Sequence, residues 1–498
     1  MNRRTKLLLN SMTGVIRQLT TLVCGFVLPR YMLIYFGSSV NGLVSSIAHF
    51  LSFITLLELG IGPVIQSNLY KPLANKDDAQ ISRIVKSSKR FFYTIGVVFL
   101  VYIAVLSIVY PRFINSSFDA TFTASLLVII SISTIAEYFV GMSYQLLLNA
   151  DQKAYIQQTI GIITVIINTV LAVTLMKCGA SIHLVKLASA SIFVIRPFAL
   201  LLYVDRHYNL DRHVEIKEEP IKQKWNGFSQ HLAAVICQNI DVVLLTFFST
   251  LENVSVYNVF YLVTHGVTQI IMTAATGLES LFGNMIAKNE NMLLCKTFEM
   301  VEFIVHNIVV IIFTITAITI TPFVKVYTYG VNDANYDVPL FGFLLVIAYA
   351  AQCLRVPYFR MIKAAGHFKQ TQNGAYVSAI LNIIFSIILV FKYGLIGVAI
   401  GTLVAMLYHT CYFVIYLKNN IINRAITPFL IYMLFDIIVL VVSIFVTQQF
   451  KMNIITYGSW LVYAIKTSGL VLAITIILDV LFFRKKIVDL FLILRKKH

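Results

Sequence analysis

The sequence predicts an all-α polytopic membrane protein of about fourteen transmembrane helices, built as two parallel six-helix lobes plus two extra C-terminal helices. Three observations predict it. First, 58% of the 498 residues are apolar and only 12% charged, the mean hydropathy is +0.82, and apolar runs recur from end to end. A span needs roughly 20 such residues to cross about 30 Å of hydrocarbon. Second, Lys and Arg collect in alternate loops. Third, the chain repeats itself at one constant offset, near 215 in the numbering.

Polar or Gly/Pro breaks delimit the runs. The expected spans lie near 11–36, 42–66, 89–110, 121–147, 154–176, 181–203, 226–249, 254–283, 297–320, 338–359, 370–391, 394–417, 426–447 and 459–483. The opening MNRRTKLLLN has the basic flank of a signal peptide. The run after it carries Arg17 and Arg30 and shows no small-x-small cleavage site, so it is expected to remain as the first helix. The second span descends through LLELGIGP, where Gly60, Gly62 and Pro63 break the helix.

With the N-terminus inside, the inner segments hold 28 Lys/Arg and the outer loops five: Arg112, Lys177, Lys325, Lys392 and Lys451. Such a bias sets topology and places both termini on the cytoplasmic side. An odd number of spans would spoil it.

The repeat rests on three matches that share one offset. GSSVNGLVSSI from Gly37 falls on STLENVSVYNVF from Ser249. GIGPVIQSNLYKPLANKDD from Gly60 falls on ATGLESLFGNMIAKNENM from Ala275, and LMKCGASI from Leu175 on VFKYGLIGV from Val390. Chance similarities would not share an offset. An even number of spans per unit makes the repeats parallel, related by an axis along the membrane normal, with a site expected at their interface. The expected division is an N-terminal lobe over 1–204, a charged cytoplasmic linker over 205–224, a C-terminal lobe over 225–418, and two extra helices with a basic tail over 419–498.

The formal charge of +17 would suggest nucleic acid in a water-soluble protein, but here the basic residues sit in short loops between spans, so no nucleic acid is expected. The six cysteines (Cys24, Cys178, Cys237, Cys295, Cys353, Cys411) are scattered and form no CxxC pair, which leaves metal, redox and disulfide frameworks unsupported. There is no Walker motif, HExxH or GxSxG, so neither ATP hydrolysis nor an enzyme is expected. The outer loops are too short for an extracellular domain. Work is expected inside the membrane, driven by an ion gradient, the membrane potential or substrate flux.

Ionisable groups at membrane depth cost about 2.5–3.5 kcal/mol each on insertion scales and usually face the bundle interior. Candidates for contacting a substrate are Arg17 with neighbouring Gln18, Arg30, Asp241 beside Gln238 and Asn239, His265, and Arg355. Candidates for coupling-ion or salt-bridge roles are Glu58, Glu137 and Asp241. Each has a plainer reading. Arg30 could snorkel to the outer headgroups where the first helix ends, Arg17 to the inner ones, and His265 could be a hydrogen-bonded packing residue. Glu58 and Arg17 could form a purely structural ion pair. Thirteen residues separate Arg17 from Arg30, about 20 Å along a helix and on different faces. A bend at Pro29, whose ring clashes with the carbonyl of Gly25, would turn both toward one cavity. For Lys186, Arg196, Asp436, Lys466 and Asp479, snorkelling near span ends is the default expectation.

Two six-helix parallel repeats plus two helices resemble the polysaccharide exporters of the multidrug/oligosaccharidyl-lipid/polysaccharide superfamily, and within it the Wzx-type repeat-unit flippases. The resemblance spans nearly the whole chain. Its local carriers are LPRYMLIYFGSSVNGLVSSI (28–47), LLELGIGPVIQSNL (56–69) and NIDVVLLTFFSTLENVSVYNVF (239–260), the last with Val256 where that family usually has glycine. The resemblance implies a V of two lobes around a cavity lined by spans 1, 2, 7 and 8. It implies a short oligosaccharide on polyprenyl pyrophosphate as cargo, moved from the inner to the outer leaflet of a bacterial plasma membrane by alternating access. Arg17 and Arg30 would then be stepping points for the pyrophosphate. Implied partners are membrane lipids and the glycosyltransferases and polymerase of the same pathway, with no cofactor and coupling to H+ or Na+. The runner-up is a cation-coupled drug exporter of the same fold. A membrane glycosyltransferase or polymerase would need an outer loop of a size not found here.

Overall fold

Hydrocarbon offers no partner for backbone N–H and C=O groups, so a chain of apolar runs must close its hydrogen bonds within helices. The computed structural model describes residues 3–58, 60–114, 118–211, 214, 228–449 and 456–495, and every regular element among them is helical. The chain divides into two compact units, Met1–Ser255 and Val256–His498. Most of the expected linker over 205–224 lies outside the described residues.

In the first unit, α1 (Arg3–Ser52) runs through Pro29 with helical dihedrals and departs from them only at Gly37, whose φ of 79° suits glycine alone. The bend expected at Pro29 therefore lies eight residues later. A 3-10 turn (Phe53–Glu58) and Gly60 at φ 67° end the descent, as the LELGIGP punctuation predicts. Then come α2 (Ile61–Asn75), α3 (Asp78–Phe113), α4 (Ala120–Ala136), a π-helical segment (Glu137–Gly141), α5 (Met142–Ala150), α6 (Ala154–Lys177), α7 (Ile182–His207) and α8 (Phe228–Phe248). α9 (Leu251–Ala274) begins at the end of this unit and continues into the second.

Gly37 reverses α1. Its first arm lies parallel to α6 in steady register: Lys6 bonds Asp151, Asn10 accepts from the Tyr155 N–H, Thr13 bonds Gln158, and Lys177 sits over the Tyr31 ring. The second arm runs antiparallel to α3. Tyr110 donates to Ser46 (2.7 Å) and Tyr102 to the Phe50 carbonyl (2.9 Å), so numbers rise on one helix as they fall on the other.

The second unit continues with α10 (Gly277–Ala287), α11 (Asn291–Tyr327), α12 (Pro339–Leu354), α13 (Val356–Ala364), α14 (Phe368–Tyr393), α15 (Leu395–Asn420), α16 (Thr427–Gln448) and α17 (Tyr457–Arg495). Twelve helices among the described residues are long and apolar enough to cross a membrane. The reversal inside α1 and the shorter apolar stretch Val235–Phe248 of α8 supply the other two of the fourteen expected crossings.

The internal repeat is written in the backbone. Left-handed φ values occur at Lys76 (55°), Gln152 (58°) and Gly179 (75°), and again at Asn289 (56°), Gly366 (74°) and Gly394 (53°). These residues pair off in order at the repeat offset, Lys76 with Asn289, Gln152 with Gly366 and Gly179 with Gly394. α3, α6 and α7 correspond to α11, α14 and α15 in the same way. Among the described residues α16 and α17 have no counterpart, and their effect shows in burial. Tyr93 and Val101 on α3 are 57% and 60% exposed; at the corresponding positions of α11, His306 and Thr314 are 1% and 2% exposed. Between them, Val310 packs with Phe435 and Val439 of α16, flanked by Leu478 and Phe483 of α17.

Candidate functional site

The fourth helix of each repeat is interrupted in mid-run. Interrupted helices at corresponding places in two halves mark binding sites in repeat-built membrane proteins, and π-segments cluster at functional sites. In the first unit, the interruption is the π segment, where the Met142 N–H donates to the Glu137 carbonyl five residues back. In the second, it falls at Arg355, between α12 and α13, with Pro357 in the first turn of α13. Each interruption carries a charged side chain.

Glu137 is the centre of the first site. It lies within electrostatic reach of Arg196 on α7, of Glu58 at the end of the 3-10 turn, and of Arg17 on the first arm of α1. Arg17 in turn feels Arg196 and Glu137. Small residues let these groups converge. A Cβ at Gly161 on α6 would lie 3.2 Å from Arg17 Nε, and one at Gly141 would lie 2.9 Å from Pro197 and 3.0 Å from Glu137 Oε1. Tyr138, next to Glu137, donates to Glu58 Oε1 at 2.6 Å. Arg17, Arg196 and Glu58 thus lie within electrostatic reach of Glu137, where the helix ladder is broken. The opposite charges of Arg196 and Arg17 near Glu137 reduce the cost of removing its carboxylate from water, and the Tyr138 hydroxyl serves Glu58.

The second site has related geometry with different charges. Arg355 Nη1 donates to His409 Nδ1 at 2.9 Å and approaches the Met406 sulfur at 3.7 Å. As an acceptor at Nδ1, the His409 imidazole is neutral. His409 is the repeat counterpart of Arg196, so the sixth helix of each repeat places a basic side chain against the interruption of the fourth. The next residue of the sixth helix also faces the fourth in each repeat: Pro197 packs on Gly141, and Thr410 donates to the Ala351 carbonyl at 2.7 Å.

The remaining candidates are placed as follows. Gln18 is exposed. Arg30 is half-buried in a continuous stretch of α1, about 20 Å beyond Arg17 along the axis, and the helix runs on past it to Gly37. Asp241 is buried on α8. Its neighbour Asn239 takes hydrogen bonds from Ser52 Oγ (2.7 Å) and His49 Nδ1 (2.8 Å), part of a polar seam joining α8 to the second arm of α1. His265 stacks on Tyr261 at 5.0 Å and bonds Gln269 at 3.1 Å, both one turn away on its own helix. The structure thus gathers Arg17, Glu58 and Glu137. Sequence reasoning assigns Arg196 a snorkelling role and passes over His409, Glu302, His306 and Arg424. A signal for Arg196 and His409 does exist in the sequence: the repeat offset applied to basic residues.

No family model matches the sequence, and no curated protein matches it either. Solved structures do. The lipid II flippase MurJ, in an inward closed conformation, aligns at TM-score 0.72 and 17% identity, covering 96% of this chain and 100% of that one. An inward-facing multidrug resistance MATE family transporter of the MOP superfamily aligns at TM-score 0.60 and 13% identity, covering 80% and 94%. A MATE in a bent conformation gives 0.56 at 14% identity, covering 84% and 97%. At such identities the likeness speaks for architecture, and by architecture this chain is a multi-pass membrane protein with the fold shared by MurJ and the MATE transporters of the MOP superfamily.

Proposed function

We propose that the chain is a flippase that carries a polyprenyl-pyrophosphate-linked oligosaccharide repeat unit from the inner to the outer leaflet of a bacterial plasma membrane, with both termini cytoplasmic. The supporting observation is that Arg17 and Arg196 both lie within electrostatic reach of Glu137 at the interrupted fourth helix, in a chain whose fold matches a lipid flippase over 96% of its length. A pyrophosphate drawn into a low-dielectric interior needs compensating cations, and guanidinium forks bind phosphate oxygens in pairs. In this reading Glu137 and Glu58 hold the two guanidinium groups in the absence of cargo. The pyrophosphate displaces the carboxylates as the lipid enters, and their return releases it. Arg30, further along α1, receives the headgroup on the exit side, and Arg355 with His409 plays the corresponding part in the second repeat. Asp241, His265 and Gln18 contact the sugars, the prenyl tail stays in lipid, and H+ or Na+ couples the cycle. The glycosyltransferases and polymerase of the pathway are the expected partners. The alignment with the MATE family transporter covers 80% of the chain, which ranks small-molecule export second.

The test is lipid translocation in proteoliposomes carrying a fluorescent polyprenyl-pyrophosphate oligosaccharide. A charge-assisted hydrogen bond is worth about 1.5–3 kcal/mol, so Arg17→Ala and Arg196→Ala should each slow translocation roughly ten- to a hundredfold. Arg17→Lys, which keeps charge and loses the fork, should fall between. Wild-type rates in both alanine variants would remove this role.

A further inference from the structure

The two helices outside the duplication bury a second set of ionisable groups, separate from the interrupted-helix sites. His306 on α11 and Asp436 on α16 are joined through Nδ1 and Oδ2 at 2.7 Å, with side chains 2% and 13% exposed. The imidazole is held between Phe429 (5.9 Å) and Tyr432 (5.1 Å). One residue on, Asn307 hydrogen-bonds Asp479 of α17, and Asp479 lies within electrostatic reach of Asp436. Four buried atoms in this group have no hydrogen-bond partner among the described residues: His306 Nε2, Asp436 Oδ1, Asn307 Oδ1 and Asp479 Oδ1.

The neighbouring charges are already matched elsewhere. Glu302, one turn before His306, takes the Tyr358 hydroxyl and Arg424, and Arg424 also faces Glu299. Lys486 of α17 donates to the Tyr432 hydroxyl. Among the described residues, that leaves Asp436 and Asp479 with an imidazole and an amide as their hydrogen-bonding partners. If His306 is neutral and donates from Nδ1, the group carries two like charges in a membrane interior, where neither is offset by a fixed cation. The compensating cation that fits is a proton, since His306 Nε2 and Asp436 Oδ1 both offer a free lone pair. Asp436 also borders a cavity of about 100 Å³, where Thr314 is its polar neighbour among Val310, Phe313, Ala351 and Leu354. A cavity of that volume has room for water, and the Asp436 carboxyl and Thr314 hydroxyl are the polar groups that would hold it there for proton exchange.

We propose that the His306–Asp436 pair is a proton-binding site that takes up and releases one proton, tying the protonation of the chain to the seating of α16 and α17 on α11. In the released state, Asp436 is a carboxylate accepting from neutral His306. On uptake, the proton goes to Asp436 Oδ1 while Oδ2 keeps the His306 Nδ1–H, and the pair passes from a charge of minus one to zero. In the first repeat, Tyr93 stands where His306 does and is exposed, with no added helix over it among the described residues.

The experiment is infrared difference spectroscopy on the full chain in liposomes as the pH is stepped through neutrality, comparing wild type with Asp436→Asn. The expected result is a carboxylic-acid carbonyl band that grows as the pH falls and is missing from Asp436→Asn. His306→Gln should keep the band and shift its midpoint by a pH unit or more, so the site can still be read if Asp436→Asn does not fold. An Asp436-dependent band of constant size at every pH, or no Asp436-dependent band, would overturn the proposal. Neither outcome touches the flippase reading, which Arg17 and Arg196 test by lipid translocation.

Discussion

At the scale of single residues, the buried charge with the largest expected contribution to stability lies outside both candidate sites. Glu302 is fully buried and is held by Tyr358 and by Arg424 from the segment between α15 and α16. Burial alone would lower the pKa of Arg424, but the hydrogen bond and charge of Glu302 outweigh it and raise it. Removing one partner of a buried pair costs about 3–5 kcal/mol. Arg424→Met should therefore lower the thermal midpoint in detergent far more than substituting an exposed arginine such as Arg90, and the double variant Arg424→Met/Glu302→Gln should recover part of the loss. Unchanged stability in Arg424→Met would mean that the Arg424–Glu302 contact does not support the fold. Asp151, in the turn before α6, behaves differently. Burial would raise its pKa, yet hydrogen bonds from Lys153, Tyr208 and Lys6 hold it below the usual 3.8. A depressed carboxylate stabilises the fold above that value and loses its contribution as the pH falls through the folded-state pKa. The stability gap between wild type and Asp151→Asn should accordingly be constant near neutrality and close only in acid below about pH 4. Arg17, Glu58 and Glu137 are legible as candidates because charge inside an apolar run is expensive. The identity of their partners is not, because Arg196 and Glu302 look the same in a run whether they meet an opposite charge or a headgroup.

At the scale of elements, the sequence punctuates well where glycine or proline must act and poorly where a helix is merely strained. LELGIGP predicts the break before α2, and Gly60 takes the left-handed conformation there. Pro29 is expected to bend α1 and does not, because it can stay helical once one hydrogen bond is given up beside Gly25; Gly37 makes the turn instead. The π segment is invisible in sequence, since STIAEYFVGMSY contains no proline and the contact beside it, Gly141 against Pro197 of α7, is tertiary. Close helix contacts follow the same logic. In the α14–α15 hairpin, a Cβ at Gly397 would lie 2.3 Å from the Leu389 carbonyl oxygen, and one at Gly401 would lie 2.1 Å from Ser386 Oγ and 2.7 Å from its backbone nitrogen. Glycines four apart are the means by which membrane helices pack backbone to backbone. Gly397→Ala meets backbone that cannot rotate aside, so it should cost at least the roughly 1–3 kcal/mol of ordinary overpacking. Gly469→Ala on α17, with nothing within 4 Å, should be neutral or slightly stabilising. Equal unfolding temperatures for the two variants would contradict this hairpin geometry.

At the scale of the whole molecule, the duplication is the most legible feature and the most informative. Its offset, read from three loose matches, reappears in left-handed residues whose identities differ, lysine with asparagine and glutamine with glycine. A turn can keep its backbone while its side chain changes, which is why sequence similarity has faded where geometry has not. The same offset pairs Arg196 with His409. It also isolates α16 and α17 as additions that bury the α11 face. Topology follows from the repeat and the charge bias together. Six crossings per repeat return the chain to its starting side, so the turn after α6 should face outward and the turn before α11 inward. Cys178 is exposed in the first of these turns and Lys288 in the second. In a chain whose other five cysteines are replaced, a membrane-impermeant maleimide applied to intact cells should label Cys178. In a fully cysteine-replaced chain carrying Lys288→Cys, it should label only after permeabilisation. Three crossings separate the two positions, made by α7, by α8, and by α9 continued in α10. An odd number puts them on opposite faces of the bilayer. Labelling of both from intact cells would mean an even number there, and the parallel relation of the two repeats would fall with it.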